Sequence, residues 1–318
     1  MKIAFLDTVH EVLEKGLTDL GYQCVDLTTV PVEKIPEKIH AYEGIVVRSK
    51  LPLDEKFLSN APHLKFIARS GAGMENIDVG YCERTGIELF NAPEGNRNAV
   101  AEHALGMLLM LFNNLHKADA EVRSGKWDRE GNRGIELDGK TVGIIGYGNN
   151  GSAFAKKLRG FEVEVLAYDK YKSGFGNEYI QEVSLDEIKA RSHVLSLHIP
   201  QNEETLSMVD EAFIDSMKQP FYLINLSRGK IVKSSDLLHA LDNGKVLGAC
   251  LDVLEQETTS FENMFTDQKV MDQDLQRLLR SDKVVFSPHI GGWTSASYYK
   301  LSKVLLDKIT NFYNHSTH

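Results

Sequence analysis

Three glycines, Gly146, Gly148 and Gly151, stand in the run GYGNNG between an apolar stretch, TVGII, and a stretch of helical period, SAFAKKLRGF. In that setting the first glycine permits a tight turn and the second lets the backbone approach a pyrophosphate. The third lets helix and strand pack closely, and the helix N-terminus, with Asn149 and Asn150 in its opening turn, faces the negative charge. Asp169 ends the next apolar run, VEVLAYD, about 20 residues further on, where a carboxylate accepts hydrogen bonds from ribose hydroxyls and repels a 2′-phosphate. NAD is therefore expected over NADP, although Lys170 and Lys172 follow closely enough to soften that discrimination. The plain alternative is a glycine-rich turn with Asp169 as a solvated strand-end residue.

Three later runs, INLSRG, LDVLEQE and SPHIGG, each end a strand-like segment in polar groups, which is where a doubly wound sheet places its ligands. Taken singly they decide little. Arg228 could cap a helix, Glu257 could be a solvated loop carboxylate, and His289 could be a satisfied core histidine.

The elements that must position these residues follow from apolar period. KIAFLD, GIVVRS, KFIARSG and IELFNA alternate with amphipathic stretches, a rhythm of βα units and a parallel sheet. From about Asn98 to Ser124 the period turns helical without a proline, long enough to link two domains. The strand rhythm then restarts with TVGIIGYG, VEVLAYD, HVLSLHIP, YLINLSRG, GACLDV and VVFSPHI. The tail from about Gly292 is helical again and is expected to return to the first domain. The expected fold is α/β with two doubly wound parallel-sheet domains: a flavodoxin-like substrate domain, residues 1–97 and 292–318, into which a Rossmann cofactor domain, residues 98–291, is inserted.

Bulk properties agree with a two-domain globular protein. The 318 residues can bury two cores, and 42% hydrophobic with 25% charged residues is ordinary composition. The formal net charge of −9 argues against a nucleic-acid partner. Cys24, Cys82 and Cys250 are widely spaced and show no ligand pattern, so reduced core thiols and no metal site are expected. No apolar run reaches the roughly 18 to 20 residues of a membrane span, and MKIAFLD looks like a strand, which sets a cytoplasmic expectation.

Taken together, GYGNNG followed by arginine, glutamate and histidine in that order, with RSGAGMENID, NAPEGN, AVAEHALG, LHIP, INLSRG, GACLDV and SPHIGG, resembles the D-isomer-specific 2-hydroxyacid dehydrogenase family across nearly the whole chain. The resemblance implies an NAD-dependent oxidoreductase with Arg228, Glu257 and His289 as its catalytic trio. His289 would take the hydroxyl proton and Glu257 would orient it, five positions beyond Asp252, with Glu255 as the competing carboxylate. Arg228 would fork onto the substrate carboxylate and polarise the carbonyl developing at C2. By the same resemblance Ser70 and the backbone of Gly71, Ala72 and Gly73 make the second carboxylate contact. Asp252 and Gly291 face the nicotinamide end, while His198 and Pro200 lie beside the adenine and ribose. Three departures stand out: Thr258 where the family usually has proline, Asn150 where an aliphatic residue is usual, and a long stretch between Glu257 and His289. In that stretch Met271, Leu275, Leu278 and Leu279 predict a small surface helix packed on the cofactor domain.

Within the family, Arg48 and Arg69 match arginines that meet the phosphate of 3-phosphoglycerate, Arg69 being the more informative, and Arg129 is a weaker third candidate. The expected reaction is oxidation of 3-phosphoglycerate to 3-phosphohydroxypyruvate, in serine biosynthesis, by a short form of the enzyme. The alternatives are a broad D-lactate, glyoxylate or hydroxypyruvate reductase, and a non-enzymatic NAD-sensing protein resembling the C-terminal binding protein corepressors. The small-molecule acid is the expected partner, together with a second copy of the chain docked through the apolar helix from Val100 to Phe112.

Overall fold

The computed structural model describes residues 1–257 and 273–315, in two compact units. Within the described residues the first unit holds Met1–Arg97 and 293–315, and the second holds Asn98–Glu257 and 273–292.

The first unit is a parallel sheet of β1 (Lys2–Phe5), β2 (Gln23–Asp26), β3 (Gly44–Val47), β4 (Phe66–Arg69) and β5 (Glu88–Asn91), ordered β2-β1-β3-β4-β5. This is the flavodoxin-like order. Every residue of β3 and β4 is buried, because helices cover both faces, and the two strands therefore read as unbroken apolar runs. The edge strand β2, with the sequence QCVD, is half-exposed and lacks such a run, so the sequence rhythm passes over it. Helix Ser295–His315 packs on helix Glu11–Asp19, and its Leu301, Leu305 and Ile309 complete the core around Ile3, Phe5, Val46 and Phe66. Gly95 and Gly16 allow this close approach: a side chain on Gly95 would lie 2.8 Å from the Leu301 backbone, and one on Gly16 would collide with Leu306.

The second unit is a parallel sheet of β6 (Thr141–Ile145), β7 (Glu164–Tyr168), β8 (Gln181–Glu182), β9 (Val194–Leu197), β10 (Phe221–Asn225), β11 (Val246–Leu251) and β12 (Val284–Phe286). Its order, β12-β11-β10-β9-β6-β7-β8, reverses direction between β6 and β9. Loops diverge at that point, which opens a crevice at the strand C-termini. The sheet has one strand more than the six apolar runs predict, since β8 is two exposed residues at the edge.

Helix Pro93–Phe112 begins five residues before the expected start, with proline at its first position, where a missing N–H costs nothing. It stops where Asn114 takes a left-handed φ of 51°, and helix Leu115–Arg123 follows. The apolar stripe of this helix, expected to serve a second copy of the chain, faces inward over most of its length. Val100, Ala101, Ala104, Met107, Leu108, Leu111 and Phe112 are buried in the second unit's own core, so that apolar stripe is already spent. The exposed apolar side chains here are Met110 on the helix itself and, beyond it, Leu115, Val122 and Trp127.

Between Glu257 and His289, helix Gln273–Leu279 buries Leu275 and Leu278, packs on helix Ser234–Asp242, and pairs Arg277 with Asp242 at 2.7 Å. Thr258 and Met271 lie outside the described residues. Cys82 and Cys250 are core thiols, and burial pushes both upward, Cys82 to about 11.

After β9 the chain is clamped under the glycine turn. His198 N–H donates to the Ile145 carbonyl at 2.8 Å, its ring lies 5.4 Å from that of Phe154, and its Nε2 is 2.8 Å from Ser196 Oγ. Burial pushes the imidazole down to about 4. The folded protein therefore binds fewer protons here than the unfolded chain below the ordinary histidine value of 6.5. Stability conferred by the neutral ring is full above 6.5 and is lost as pH falls toward about 4. Urea midpoints measured across that window should fall more steeply for the wild type than for His198→Gln; equal slopes would show that the ring is freely protonated in the folded state.

Candidate active site

The loop from β6 into helix Asn149–Lys157 is shaped by what cannot fit. Gly146 has φ +93°, and a side chain there would come within 2.5 Å of the His198 carbonyl oxygen. One on Gly151 would overlap the Gly146 carbonyl oxygen, whereas nothing lies within 4 Å of the position it would take on Gly148. Gly148 is the helix N-cap and supplies no side-chain cap, and a helix N-terminus of this kind favours an anion. The turn thus fits a pyrophosphate laid against Gly148. Asn150, in the same turn, buries an Oδ1 with no hydrogen-bond partner.

Asp169 does more than await a ribose. Its Oδ2 accepts the Tyr147 N–H at 2.8 Å, and its Oδ1 accepts those of Tyr171 and Lys172 at 2.9 and 3.0 Å. It therefore ties the glycine turn to the end of β7. Lys170, which the sequence sets next to Asp169, is drawn onto Glu204 at 2.6 Å. Pro200 is exposed, and its carbonyl accepts the Thr205 hydroxyl at 2.7 Å.

The C-terminal ends of β10, β11 and β12 bring the second group together. At the end of β10, Asn225 is buried and accepts both the N–H and the hydroxyl of Ser227, at 3.1 and 2.7 Å, while its amide donates to the Arg228 carbonyl at 3.0 Å. Gly229 lets this loop press on the one after β11, because a side chain there would overlap the Leu254 carbonyl. Glu257 Oε2 is 3.0 Å from His289 Nδ1, and Glu257 Oε1 accepts the Leu254 N–H at 2.8 Å. Glu255 is engaged elsewhere: it accepts the N–H of Ser234 at 2.8 Å, at the start of helix Ser234–Asp242. Geometry thus separates the two carboxylates that spacing left in competition.

Asp252 is 2% exposed. Its Oδ1 accepts the Ser287 hydroxyl at 2.6 Å and the Ile290 N–H at 2.8 Å, and its Oδ2 accepts the Gly291 N–H at 2.8 Å. Gly291 is required, since a side chain there would sit 2.8 Å from Oδ2. His289 itself holds a left-handed φ of 55° and donates its N–H to the Asp252 carbonyl at 2.8 Å. The Asp252 carboxylate therefore acts on the loop that carries His289. Ser287 and Asn225 were not singled out by the sequence, where each is an ordinary polar residue at a strand end.

In the first unit, Val47 and Arg69 are register partners on β3 and β4, so Arg48 and Arg69 emerge side by side at the strand ends. Arg69 is 8% exposed; its Nε donates to the Arg48 carbonyl at 3.2 Å, and its guanidinium lies across Gly71, where a side chain would collide with it. Arg48 stacks on the Trp293 ring at 4.2 Å. The Gly71 N–H turns back onto the Arg69 carbonyl at 2.9 Å, and the Ala72 and Gly73 N–H groups follow it in the turn. Ser70 Oγ and, at the start of helix Pro93–Phe112, Asn96 Oδ1 are buried without partners; Asn96 is a candidate the sequence reading missed. No grouping of three or more metal-ligating side chains occurs among the described residues, and no helix among them is long and apolar enough to cross a membrane.

Comparison with known proteins points to one family. Residues 105–291 match the family model for the D-isomer specific 2-hydroxyacid dehydrogenase, NAD binding domain. The chain is 34% identical over 313 residues to a D-3-phosphoglycerate dehydrogenase of Archaeoglobus fulgidus, covering 98% of this chain but 57% of that relative. It is 32% identical over 307 residues to a hydroxypyruvate reductase of Thermotoga maritima, covering 95% of this chain and 96% of the relative. A D-lactate dehydrogenase of Aquifex aeolicus, solved with NAD and lactic acid, superposes with a TM-score of 0.83 at 30% identity, covering 99% of this chain and 96% of that one. With its glycine turn shaped for a pyrophosphate and an acidic residue at the end of β7, this chain belongs to the D-isomer-specific 2-hydroxyacid dehydrogenases, NAD-dependent oxidoreductases.

Proposed function

We propose that the protein transfers hydride between D-3-phosphoglycerate and NAD, the reaction that yields 3-phosphohydroxypyruvate for serine biosynthesis. The emergence of Arg48 and Arg69 side by side at the ends of β3 and β4, beside the Ala72 and Gly73 N–H groups, carries this reading. It offers two guanidinium groups for a dianion and two amides for a carboxylate. The cofactor would supply the hydride chemistry, and Gly146, Gly148, Asn149, Asn150, Gly151 and Asp169 would hold it.

The chain's own residues manage the proton and the charge. Glu257 accepts from His289 Nδ1, which fixes the tautomer with Nε2 as the lone-pair nitrogen. Nε2 takes the proton of the C2 hydroxyl as its O–H bond breaks and C2 becomes a carbonyl, and the imidazolium then lies against the Glu257 carboxylate. Arg228 meets the substrate carboxylate and the oxygen at C2. In reduction the same nitrogen returns the proton. The exposed Leu115, Val122 and Trp127 supply the face for a homodimer.

One observation favours a second reading, a hydroxypyruvate, glyoxylate or D-lactate reductase: Arg69 is nearly sealed, and its guanidinium is folded onto the protein's own backbone.

Replacing His289 by Gln removes the base and should lower kcat by about 10²- to 10⁴-fold, with Glu257→Gln costing less because the imidazole remains. Steady-state rates within a few-fold of wild type for His289→Gln would end the assignment. Asp169→Ala should both weaken NAD, measured by fluorescence titration, and narrow the NAD/NADP preference, since the side chain ties the turn as well as carrying the charge; an unchanged dissociation constant for both cofactors would remove Asp169 from the site. On a substrate panel, kcat/KM should favour D-3-phosphoglycerate over D-glycerate and D-lactate. Arg69→Ala should cut only the phosphorylated substrate, by roughly tenfold to a hundredfold, as expected for charge-assisted hydrogen bonds. A uniform loss on every acid would assign Arg69 to holding the ends of β3 and β4 together and favour the unphosphorylated substrates.

A further inference from the structure

His103, in helix Pro93–Phe112, sits with Nε2 2.8 Å from Ser287 Oγ and 3.7 Å from Asp252 Oδ1. The Ser287 hydroxyl has one proton and three places to put it: Asp252 Oδ1 at 2.6 Å, Met107 Sδ at 3.5 Å, and His103 Nε2 if that nitrogen is unprotonated. A carboxylate only accepts, and one that is 2% exposed loses much if a donor turns away. The choice therefore falls to the imidazole. With its proton on Nε2, His103 donates to Ser287 Oγ and cannot accept from it, so the hydroxyl points at Asp252. With the proton on Nδ1, His103 Nε2 competes with Asp252 Oδ1 for the single Ser287 proton, and whenever it wins Asp252 Oδ1 keeps only the Ile290 N–H.

Asp252 in turn holds the backbone of the histidine loop through Ile290 and Gly291, while its carbonyl accepts the His289 N–H. His289 stands at φ +55°, a conformation unfavourable for a side-chain-bearing residue and maintained by its surroundings. We propose that His103 is a positioning residue for His289: its Nε2–H keeps the Ser287 hydroxyl on Asp252, and Asp252 fixes the left-handed turn that presents the histidine. The inference rests on the reading of His289 as the base.

The test uses the full chain with NAD and its best acid substrate. His103→Leu removes the donor; His103→Gln keeps an N–H donor of similar reach. The expected result is a kcat about tenfold lower for His103→Leu, with the KM for the acid and the dissociation constant for NAD within about twofold, and recovery to within about threefold of wild type for His103→Gln. Ser287→Ala cuts the same link by removing one oxygen and serves if His103→Leu does not fold. Combined with His103→Leu it should be no slower than the slower single variant, because both break one path. Wild-type kcat in His103→Leu overturns the proposal, as does a Gln variant as slow as the Leu variant, or additive losses in the double variant. His289→Gln, run alongside, separates the two readings: if it is inactive while His103→Leu is normal, the base stands and the positioning role falls. If His289→Gln turns over normally, the base assignment falls and this inference falls with it.

Discussion

A carboxylate held almost out of water must have its oxygens satisfied by fixed donors, and Asp252 at the end of β11 imposes that demand on everything near it. The Ser287 hydroxyl and two consecutive N–H groups, of Ile290 and Gly291, meet it. Those two N–H groups can converge on one side chain only if the chain turns sharply just before them, which is where His289 adopts its left-handed backbone. The imidazole is then delivered to Glu257, which is itself held by the Leu254 N–H. The loops after β10, β11 and β12 are thus one hydrogen-bonded assembly, and the missing side chains at Gly229 and Gly291 let them meet.

The glycine turn obeys a different constraint, close approach of backbone to backbone. Gly146 and Gly151 lie where carbonyl oxygens of His198 and Gly146 occupy the space of a side chain, while Gly148 faces open space. Only the last leaves room for a ligand, and it caps a helix whose first N–H groups attract an anion. Asp169 ties Tyr147 to the end of β7 with the same carboxylate that is proposed to read a ribose. That double duty is why its loss is expected to reach affinity as well as cofactor choice.

In the first unit the arginines are constrained by what they already hold. Arg69 gives its Nε to the Arg48 carbonyl and lies over Gly71, and Arg48 lies on Trp293. A dianion would compete for these groups against existing contacts. The order of substrate preference therefore depends on how much of the Arg69 fork remains for a ligand, an energetic balance between one buried side chain and one phosphate.

Much of this was legible in the residue string because it is local. A glycine triplet between an apolar run and a helical period, with an acidic residue at the end of the next run, needs only neighbours in sequence to be interpreted. Buried parallel strands announce themselves as continuous apolar stretches, whereas β2 and the two-residue β8 lie at sheet edges and leave no such trace. Helical period located the segment after Pro93 but could not say where its apolar stripe points, and folding turned that stripe into the second unit's own core. Composition and spacing determined the residue types available for proton transfer and anion binding, and order along the chain brought them into one family pattern. Tertiary structure alone decided that Glu257 and not Glu255 meets His289, that Asp252 holds a loop, and that Ser287 and His103 join it. Those choices rest on hydrogen bonds between strand ends and a helix far apart in sequence, where differences of an ångström determine whether a proton has a partner.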